Sequence, residues 1–276
     1  MRRSTEMELG HEFDALFGDP KQLARVRAEA EFGESEIHSF LDALAPGARV
    51  LEVGCGTGYL LARFAKDYPH LHFDGLEPIG SGFAQFEPVL DAVSAALVNV
   101  RIFKTPIETY TSTDDRYDLI FSINVFEHLG DWRQGIDAAV RLLNEAGSLV
   151  FLCPNYTFPY EPHFGIPLLG SKASRLVFSR RIERVERDTD SFGLWNSLNF
   201  ITAFAVKRHC VRNGYKVVLD QAITGRMVGR LSTDGEFAAR QGLLGKLLAS
   251  SFSPTRIFAF LPSSILPYMK VIVSKR

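Results

Sequence analysis

One stretch of the sequence decides the fold: Arg49-Val50-Leu51-Glu52-Val53-Gly54-Cys55-Gly56-Thr57-Gly58-Tyr59-Leu60. A β-branched and aliphatic run comes first, three glycines at alternate positions follow it, and an apolar segment of helical period ends it. This order predicts a strand, a tight turn and the start of a helix. Glycine allows positive φ and lets a ligand approach the backbone, and the first N–H groups of a helix face that ligand. The stretch therefore predicts a turn that binds a nucleotide-like cofactor.

The glycine spacing separates three kinds of nucleotide-binding turn. A dinucleotide fold needs G-x-G-x-x-G and a P-loop needs Gly-Lys-Ser/Thr. This chain instead has G-x-G-x-G, with an acid two residues before the first glycine. That pattern resembles the first motif of the class I S-adenosylmethionine-dependent methyltransferases, E/D-x-G-x-G-x-G after strand one. The resemblance implies that the turn holds the aminoacid end of S-adenosylmethionine through Glu52, Gly54, Cys55, Gly56, Thr57 and Gly58.

A second acid stands at the end of the next predicted strand, residues 71–76. Glu77 lies 19 residues after Gly58, close to the roughly 20-residue separation at which a carboxylate accepts the ribose hydroxyls of a cofactor. We therefore expect Glu77 to bind the ribose and the following Pro78 to belong to the same site. The alternative is a solvated acid at a strand end.

The segment Thr105-Pro106-Ile107-Glu108 occupies the place where the resembling family offers an acid and a backbone N–H to adenine. Pro106 has no N–H to donate, and the usual position of the acid holds Lys104 or Thr105. We expect the backbone of Ile107 to contact adenine, with Glu108 either assisting it or facing solvent.

The third informative stretch follows a predicted strand at 117–123, whose nearly continuous apolar character is typical of a strand buried on both faces. It continues as Asn124-Val125-Phe126-Glu127-His128-Leu129, which resembles the fourth motif of the same family. There the residues just past the strand lie beside the transferable methyl group, so the resemblance implies that Asn124 contacts the cofactor.

Two side chains of this stretch are candidate catalytic bases, since a hydroxyl acceptor must lose a proton and imidazole titrates near neutrality. They are Glu127 and His128. His163, in a segment rich in aromatic residues, is a further candidate base. The alternative is structural: Glu127 would interact with a helix N-terminus, and His128 would hydrogen-bond within the fold.

A metal requirement is not expected from this motif. In ubiquinone-type O-methyltransferases, which the stretch resembles, an acid at the position of Asn124 joins the Glu-His pair around a divalent metal. Asparagine is a neutral, weaker ligand, so the sequence predicts a cofactor site without a metal.

Alternating strands and helices over residues 48–153 predict an α/β fold with a doubly wound, Rossmann-like, mostly parallel sheet. A helix is predicted over 131–145, a stop at 146–147 and a strand over 148–152. The resemblance implies seven strands, the last of them, residues 268–273, pairing antiparallel with strand six at the sheet edge.

The domain boundaries are predicted where the alternation of strands and helices stops. Residues 1–47 form a predicted N-terminal helical cap, which either covers the cofactor or packs on the sheet edge. Residues 48–276 form the methyltransferase domain, with insertions at about 154–198 and 224–266. We interpret the first insertion as a substrate-recognition lid, the alternative being a surface helical excursion. The apolar, proline-broken stretch 243–267 completes the lid or contacts a membrane surface.

Composition limits the partners and the compartment. The 276 residues carry 31 lysines and arginines against 32 acids, a formal charge of −1, so no basic field favours nucleic acid. The three separated cysteines predict neither a disulfide framework nor a zinc site. Without a signal peptide pattern or a long apolar run, the expected location is the cytoplasm.

The function expected from these features is S-adenosylmethionine-dependent methyl transfer to a small-molecule, glycan or lipid-precursor acceptor, with oxygen as the target atom. A non-catalytic cofactor-binding or scaffold module of the same fold is the main alternative. A nicotinamide oxidoreductase is disfavoured by the glycine spacing. A peripheral enzyme acting on a lipid-linked acceptor would suit the apolar C-terminal region.

Overall fold

The computed structural model describes residues 14–80, 86–111, 116–233 and 261–276. Its contacts divide the chain into two compact units. Unit 1 contains the described residues up to Ile123 together with Asp137–Val150, and unit 2 contains Asn124–Ile136 and the described part of Phe151–Arg276.

Nine strands are found in the described residues: β1 (Arg49–Val53), β2 (His72–Leu76), β3 (Val100–Phe103), β4 (Tyr117–Ile123), β5 (Leu143–Pro154), β6 (Tyr160–Glu161), β7 (Ile166–Pro167), β8 (Lys216–Leu219) and β9 (Tyr268–Ser274). Seven of these described strands form one sheet in the order β3-β2-β1-β4-β5-β9-β8, and β6 and β7 form a separate hairpin. The β1–β2, β1–β4 and β2–β3 pairs are parallel, whereas β8 and β9 are antiparallel. This confirms the predicted Rossmann-like sheet with an antiparallel last strand.

The helices of the described residues are α1 (Pro20–Leu41), α2 (Tyr59–Asp67), α3 (Glu87–Ala96), α4 (Trp132–Leu142), α5 (Ser171–Val177), α6 (Ser179–Asp188), α7 (Leu194–Ser197), α8 (Ala203–Arg212) and α9 (Ile223–Thr233). Short 3₁₀ turns lie at Phe126–His128 and Ser263–Ile265. None of the helices in the described parts of the chain combines the length and apolar character needed to cross a membrane.

The N-terminal helix α1 packs within unit 1. Asp19 caps it by accepting a hydrogen bond from the Lys21 N–H, and Pro20 begins it with a favourable φ. A Cβ atom on Gly33 would lie 2.6 Å from Leu60 and 3.4 Å from Ile123. Glycine therefore lets α1 approach both α2 and the C-terminal end of β4.

Two boundaries differ from the sequence prediction. The helix predicted over 131–145 ends at Leu142, and β5 begins at Leu143 instead of residue 148. Gly147 therefore lies inside a strand, where a Cβ atom would be 2.6 Å from the Tyr117 carbonyl oxygen. It permits close approach of backbone and does not stop a helix. The last strand, β9, lies between β5 and β8 and pairs antiparallel with the edge strand β8, as expected.

The two predicted insertions differ in how much of each is described. Residues 154–198 contain the β6–β7 hairpin and helices α5, α6 and α7. The second insertion begins with α9, but residues 234–260 lie outside the described residues. The predicted membrane-contact stretch 243–267 therefore lies mostly outside them as well.

Candidate functional site

The glycine turn of unit 1 joins β1 to α2. Gly54, Gly56 and Gly58 all have positive φ, at 72°, 55° and 71°, a region that side-chain-bearing residues rarely enter. The N–H groups of Gly54 and Cys55 donate to the Leu76 carbonyl oxygen over 2.8 and 3.1 Å. The turn is thereby attached to the end of β2, where Glu77 follows.

Glu77 contacts the turn directly. Its Oε2 accepts a hydrogen bond of 2.8 Å from the Gly56 N–H. Burial raises the pKa of this carboxyl, and the Gly56 hydrogen bond opposes that effect. The acid predicted from its spacing to bind ribose therefore also holds the glycine turn in place.

Glu52, near the end of β1, is also a buried acid, but unlike Glu77 it has a carboxyl oxygen without a hydrogen bond in the described chain. It is 4% exposed, and its Oε2 makes no hydrogen bond to any residue that the structure describes. Burial and the nearby Glu77 charge raise its pKa to about 8. A cationic group placed beside Glu52 would favour the ionised form, so this position suits the ammonium group of an amino acid.

The remaining predicted cofactor residues of unit 1 have different environments. Cys55 is buried, which raises the pKa of its thiol, and Thr57 accepts a hydrogen bond from the Tyr59 N–H at the start of α2. Pro78 is exposed, whereas the side chain of Ile107 is 1% exposed and belongs to the core. Glu108 Oε2 is buried without a hydrogen-bond partner in the described chain, so this carboxyl is not simply solvent-facing.

Asn124 begins the candidate catalytic part, which lies in unit 2. Its φ of 56° places it in the left-handed region, which asparagine tolerates better than most residues. The Asn124 N–H donates to the Leu152 carbonyl oxygen over 2.8 Å. The Tyr268 hydroxyl donates to Asn124 Oδ1, so two bonds hold this strained residue.

The 3₁₀ turn Phe126–His128 is held by one asparagine. Asn199 donates from Nδ2 to the carbonyl oxygens of Phe126 and Leu129 over 2.7 and 2.9 Å. Its backbone N–H donates to the Glu127 carbonyl oxygen over 2.9 Å. A residue more than 70 positions away in sequence therefore sets the backbone from which Glu127 and His128 project.

The Glu127 carboxyl is completely buried and has no hydrogen-bond partner for either oxygen among the described residues. Burial raises its pKa to about 7, although the neighbouring His163 lowers it. The His128 Nε2 atom lies 3.9 Å from Glu127 Oε1, too far for a hydrogen bond. Perturbed buried acids of this kind are typical of functional sites.

His128 is a neutral imidazole. Burial, followed by the neighbouring His163, lowers its pKa to about 3. Its Nδ1 lies 2.8 Å from Ser197 Oγ, and the Ser197 hydroxyl donates to the Leu194 carbonyl oxygen over 2.8 Å. Because that hydroxyl has a single proton, we assign the proton between the two side chains to His128 Nδ1. His128 Nε2 then carries a lone pair.

His163 is oriented by a buried carboxylate. Its Nδ1 lies 2.6 Å from Glu161 Oε1, and Glu161 also accepts hydrogen bonds from the Tyr156 hydroxyl and the Phe164 N–H. The imidazole rings of His128 and His163 are 5.3 Å apart in an edge-to-face arrangement. We name Glu127, His128 and His163 the Glu127 cluster; each offers one ligand atom, all within 4.8 Å of one another.

A shallow cavity of about 230 Å³, wide open to solvent, lies along the first insertion. Its wall is partly aromatic and partly basic, and it is formed by Ser171, Lys172, Arg175, Trp195, Asn196, Leu198 and Phe200. The Trp195 ring contacts those of Phe164 and Phe200. Since Ser197, the partner of His128, lies between two wall residues, the same short segment reaches the cavity and the Glu127 cluster.

The structure brings the three predicted catalytic residues together within unit 2. It also brings Glu52, the glycines and Glu77 together within unit 1. Sequence reasoning missed the residues that orient the Glu127 cluster. Glu161 had a local signal, since it lies two residues before His163, whereas Ser197 and Asn199 are distant in sequence and had none.

The seven-stranded sheet, the glycine turn after β1 and the acid after β2 define the Rossmann-like methyltransferase class. The chain belongs to the class I S-adenosylmethionine-dependent methyltransferase family, and its residues 25–219 match the family model described as a methyltransferase domain. S-adenosylmethionine is the methyl donor of this family.

Individual relatives differ in how much of the chain they cover. An uncharacterized protein of Mycobacterium tuberculosis is 33% identical over 257 residues, which cover 91% of this chain and 87% of that protein. A malonyl-[acyl-carrier protein] O-methyltransferase of Paenibacillus is 31% identical over 124 residues, 44% of each chain. The structure is similar to phosphoethanolamine N-methyltransferase 2 of Haemonchus contortus, with a TM-score of 0.57 at 12% identity, over 88% of this chain and 52% of that one.

Proposed function

We propose that this enzyme transfers the methyl group of S-adenosylmethionine to a hydroxyl oxygen of a small-molecule, glycan or lipid-precursor acceptor. The observation that carries the proposal is the Glu127 carboxyl, buried with no hydrogen-bond partner among the described residues. A buried acid whose oxygens lack hydrogen bonds within the described fold is suited to act on a substrate.

Cofactor binding is assigned to unit 1. Glu52 faces the ammonium group of the aminoacid end, and the glycine turn, which has no Cβ atom at Gly54, Gly56 or Gly58, lies against the rest of that end. Glu77 accepts the ribose hydroxyls while it keeps its bond to the Gly56 N–H. The buried, unpartnered oxygen of Glu108 and the backbone of Ile107 contact adenine. The family resemblance and this set of environments support the assignment.

S-adenosylmethionine supplies, when bound, a methyl group activated by its sulfonium. The protein must hold the acceptor atom about 3 Å from that methyl group, in line with the bond that breaks, and exclude water. A hydroxyl acceptor must also lose its proton. With a pKa of about 7, the Glu127 carboxylate can accept that proton at neutral pH.

His128 supports the same proton transfer. Its Nδ1 proton is directed to Ser197, so the lone pair of Nε2 is available to the acceptor hydroxyl. His163 is held by Glu161 at the third corner of the cluster. The three basic side chains suit a hydroxyl acceptor, which must lose its proton, and the acceptor panel below includes amines because an ammonium group must lose one as well.

The insertion cavity is the proposed acceptor pocket. Trp195 and Phe200 provide apolar surface, and Lys172 and Arg175 provide positive charge. These residues favour an acceptor that has a planar or apolar body and an anionic substituent. One relative is named a malonyl-[acyl-carrier protein] O-methyltransferase, and a malonyl group carries a carboxyl group.

The test separates cofactor binding from chemistry. Methyl-labelled S-adenosylmethionine is incubated with a panel of hydroxyl, carboxyl and amine acceptors, and turnover is compared with the cofactor Kd measured by calorimetry. Glu127→Gln is expected to lower kcat about 100-fold or more while its cofactor Kd stays within two-fold of wild type. The exposed Glu183→Gln is the matched control.

Two results would contradict the proposal. Normal turnover by Glu127→Gln would remove the carboxylate from the chemistry. Tight cofactor binding with no methyl transfer to any acceptor class would favour a cofactor-binding scaffold.

A further inference from the structure

We infer that the Glu127 cluster is a divalent transition-metal site, with one carboxylate and two imidazole ligands and zinc as the ion that it fits best. Metal binding itself goes beyond the proposed function and does not depend on it. A bound ion would take the Nε2 lone pair of His128 and one Glu127 oxygen, so the proton transfer proposed above is assigned to the metal-free protein. Only a role of the ion in methyl transfer would rest on that function.

The donor set is the first argument. One carboxylate oxygen and two imidazole nitrogens, within 4.8 Å of one another, match three-ligand catalytic zinc sites. Magnesium and calcium prefer sets made of oxygen alone. A tetrahedral zinc ion needs ligand atoms about 3.4 Å apart, so ligand atoms that now lie up to 4.8 Å apart must approach by about 1.4 Å at most. Glu127 Oε1 and His128 Nε2 are already 3.9 Å apart.

The orientation of the histidines is the second argument. Histidines that bind a metal usually give their other ring N–H to a carboxylate, a carbonyl or another oxygen acceptor. His163 Nδ1 is bonded to the buried Glu161, and His128 Nδ1 to Ser197. Each histidine is thus held at Nδ1 by a side chain outside the cluster, which assigns Nε2 of His128 to the ion.

The third argument is Glu127 itself. Its side chain is 0% exposed, and the described residues provide no hydrogen bond to either oxygen. A buried carboxylate without partners is strongly unfavourable, whereas a cation would satisfy it. The sequence predicted no metal because Asn124 replaces an acid. His163, which comes from the first insertion, provides a third ligand that the motif does not contain.

The experiment titrates metal-free protein with Co²⁺, whose visible absorption reports its coordination, and then displaces it with Zn²⁺. Wild type is expected to bind one equivalent with the intense absorption of a four- or five-coordinate ion. Glu127→Gln and His163→Ala are each expected to weaken binding at least ten-fold. His38→Ala is the control, because His38 is an exposed histidine beside Asp42 that could hold adventitious metal.

Thermal unfolding tests the metal site without an activity assay, and it also reports whether each variant is folded. Zn²⁺ is expected to raise the Tm of wild type and His38→Ala, since a ligand that binds the folded state stabilises it. It should raise the Tm of Glu127→Gln clearly less than that of wild type at the same Zn²⁺ concentration. Glu161→Gln, which keeps all three ligands, should lose about ten-fold in affinity.

The inference is overturned if wild type binds no Co²⁺ at millimolar concentration. It is overturned equally if Glu127→Gln and His163→Ala, shown by circular dichroism to be folded, bind as tightly as wild type. Loss of binding in His38→Ala alone would identify the surface pair as the site. Each of these results is obtained without S-adenosylmethionine, so none of them decides whether the protein transfers methyl groups.

Discussion

Two buried carboxylates, one in each unit, differ in what surrounds them. Asp74 of β2 is 2% exposed and accepts hydrogen bonds of 2.7 to 2.8 Å from Arg49, Arg101 and the Tyr117 hydroxyl. Burial alone would raise its pKa, but the hydrogen bonds from Arg101, Tyr117 and Arg49 outweigh burial and lower it. Glu127 is equally buried, and the described residues give it no hydrogen bond.

The difference shows that burial of an acid does not by itself indicate a functional group. Asp74 is neutralised by its own fold and has no capacity left for a substrate. Glu127 is left unsatisfied by its own fold, and the interactions that would stabilise its charge must come from a ligand. Asp74 is therefore predicted to matter for stability and Glu127 for function.

The largest effect on stability is expected at Asp74. Asp74→Asn leaves two arginines facing a neutral group and should lower the free energy of unfolding by about 4 kcal/mol. The expected loss is not larger because the Arg101 side chain is 51% exposed and can be hydrated in the variant. Urea denaturation measures it, with the exposed Asp188→Asn as control. A loss below about 1 kcal/mol would contradict a structural role for Asp74.

A pH-dependent effect is expected at Glu52, the buried acid of the cofactor turn. Its folded-state pKa of about 8 exceeds the ordinary value of 4.5, so between these pH values the unfolded chain binds fewer protons and stability falls as pH rises. Relative to wild type, Glu52→Gln should gain about 3 kcal/mol between pH 5 and pH 7.5. A difference that stays constant across denaturation curves in this range would contradict the protonated state of Glu52.

A smaller effect is expected at Ser197, which positions His128. Ser197→Ala removes one hydrogen bond, worth about 1 kcal/mol, and should lower kcat about five-fold. The cofactor Kd should not change, because the hydrogen bonds of the Ser197 hydroxyl go to His128 and to the Leu194 carbonyl oxygen. Ser197→Thr keeps the hydroxyl and should restore most of the rate. Equal kcat in all three proteins would show that the bond does not orient His128 for catalysis.

The smallest effect on stability is expected at Glu127, in contrast to Asp74. Glu127→Gln removes a buried charge whose oxygens have no hydrogen-bond partner in the described chain. The free energy of unfolding, measured by urea denaturation with a chelator present, should therefore equal the wild-type value within about 1 kcal/mol or exceed it. A loss as large as that of Asp74→Asn would mean that Glu127 has a structural partner. The contrast between the two acids would then fail.

The sequence predicted the parts of this molecule that depend on local patterns. The strand, glycine turn and helix at 49–67, the strand at 117–123 and the sheet class follow from residue spacing, and the structure confirms them. The spacing between Gly58 and Glu77 likewise identified an acid that contacts the turn. Such features need information from only a few tens of residues.

The features that the sequence could not predict depend on tertiary packing. Asn199 holds the turn that carries Glu127, and Tyr268 holds Asn124, each across a long separation in sequence. The end of α4 at Leu142 was also predicted wrongly, because Gly147 reads as a helix stop until its contact with the Tyr117 carbonyl is known. A glycine can end a helix or permit close backbone contact within a sheet, and only its tertiary contacts show which of the two applies.

The central claim is that unit 1 binds S-adenosylmethionine through the glycine turn and Glu77, and that Glu127 acts only afterwards. The most direct test is a calorimetric titration of wild type, Gly56→Arg, Glu77→Ala and Glu127→Gln with S-adenosylmethionine, with NAD as the comparison ligand. We predict a micromolar Kd, about −8 kcal/mol, for wild type and Glu127→Gln, binding at least ten-fold weaker in the two turn variants, and none of NAD. Equal affinity in all four proteins, or preference for NAD, would contradict the account.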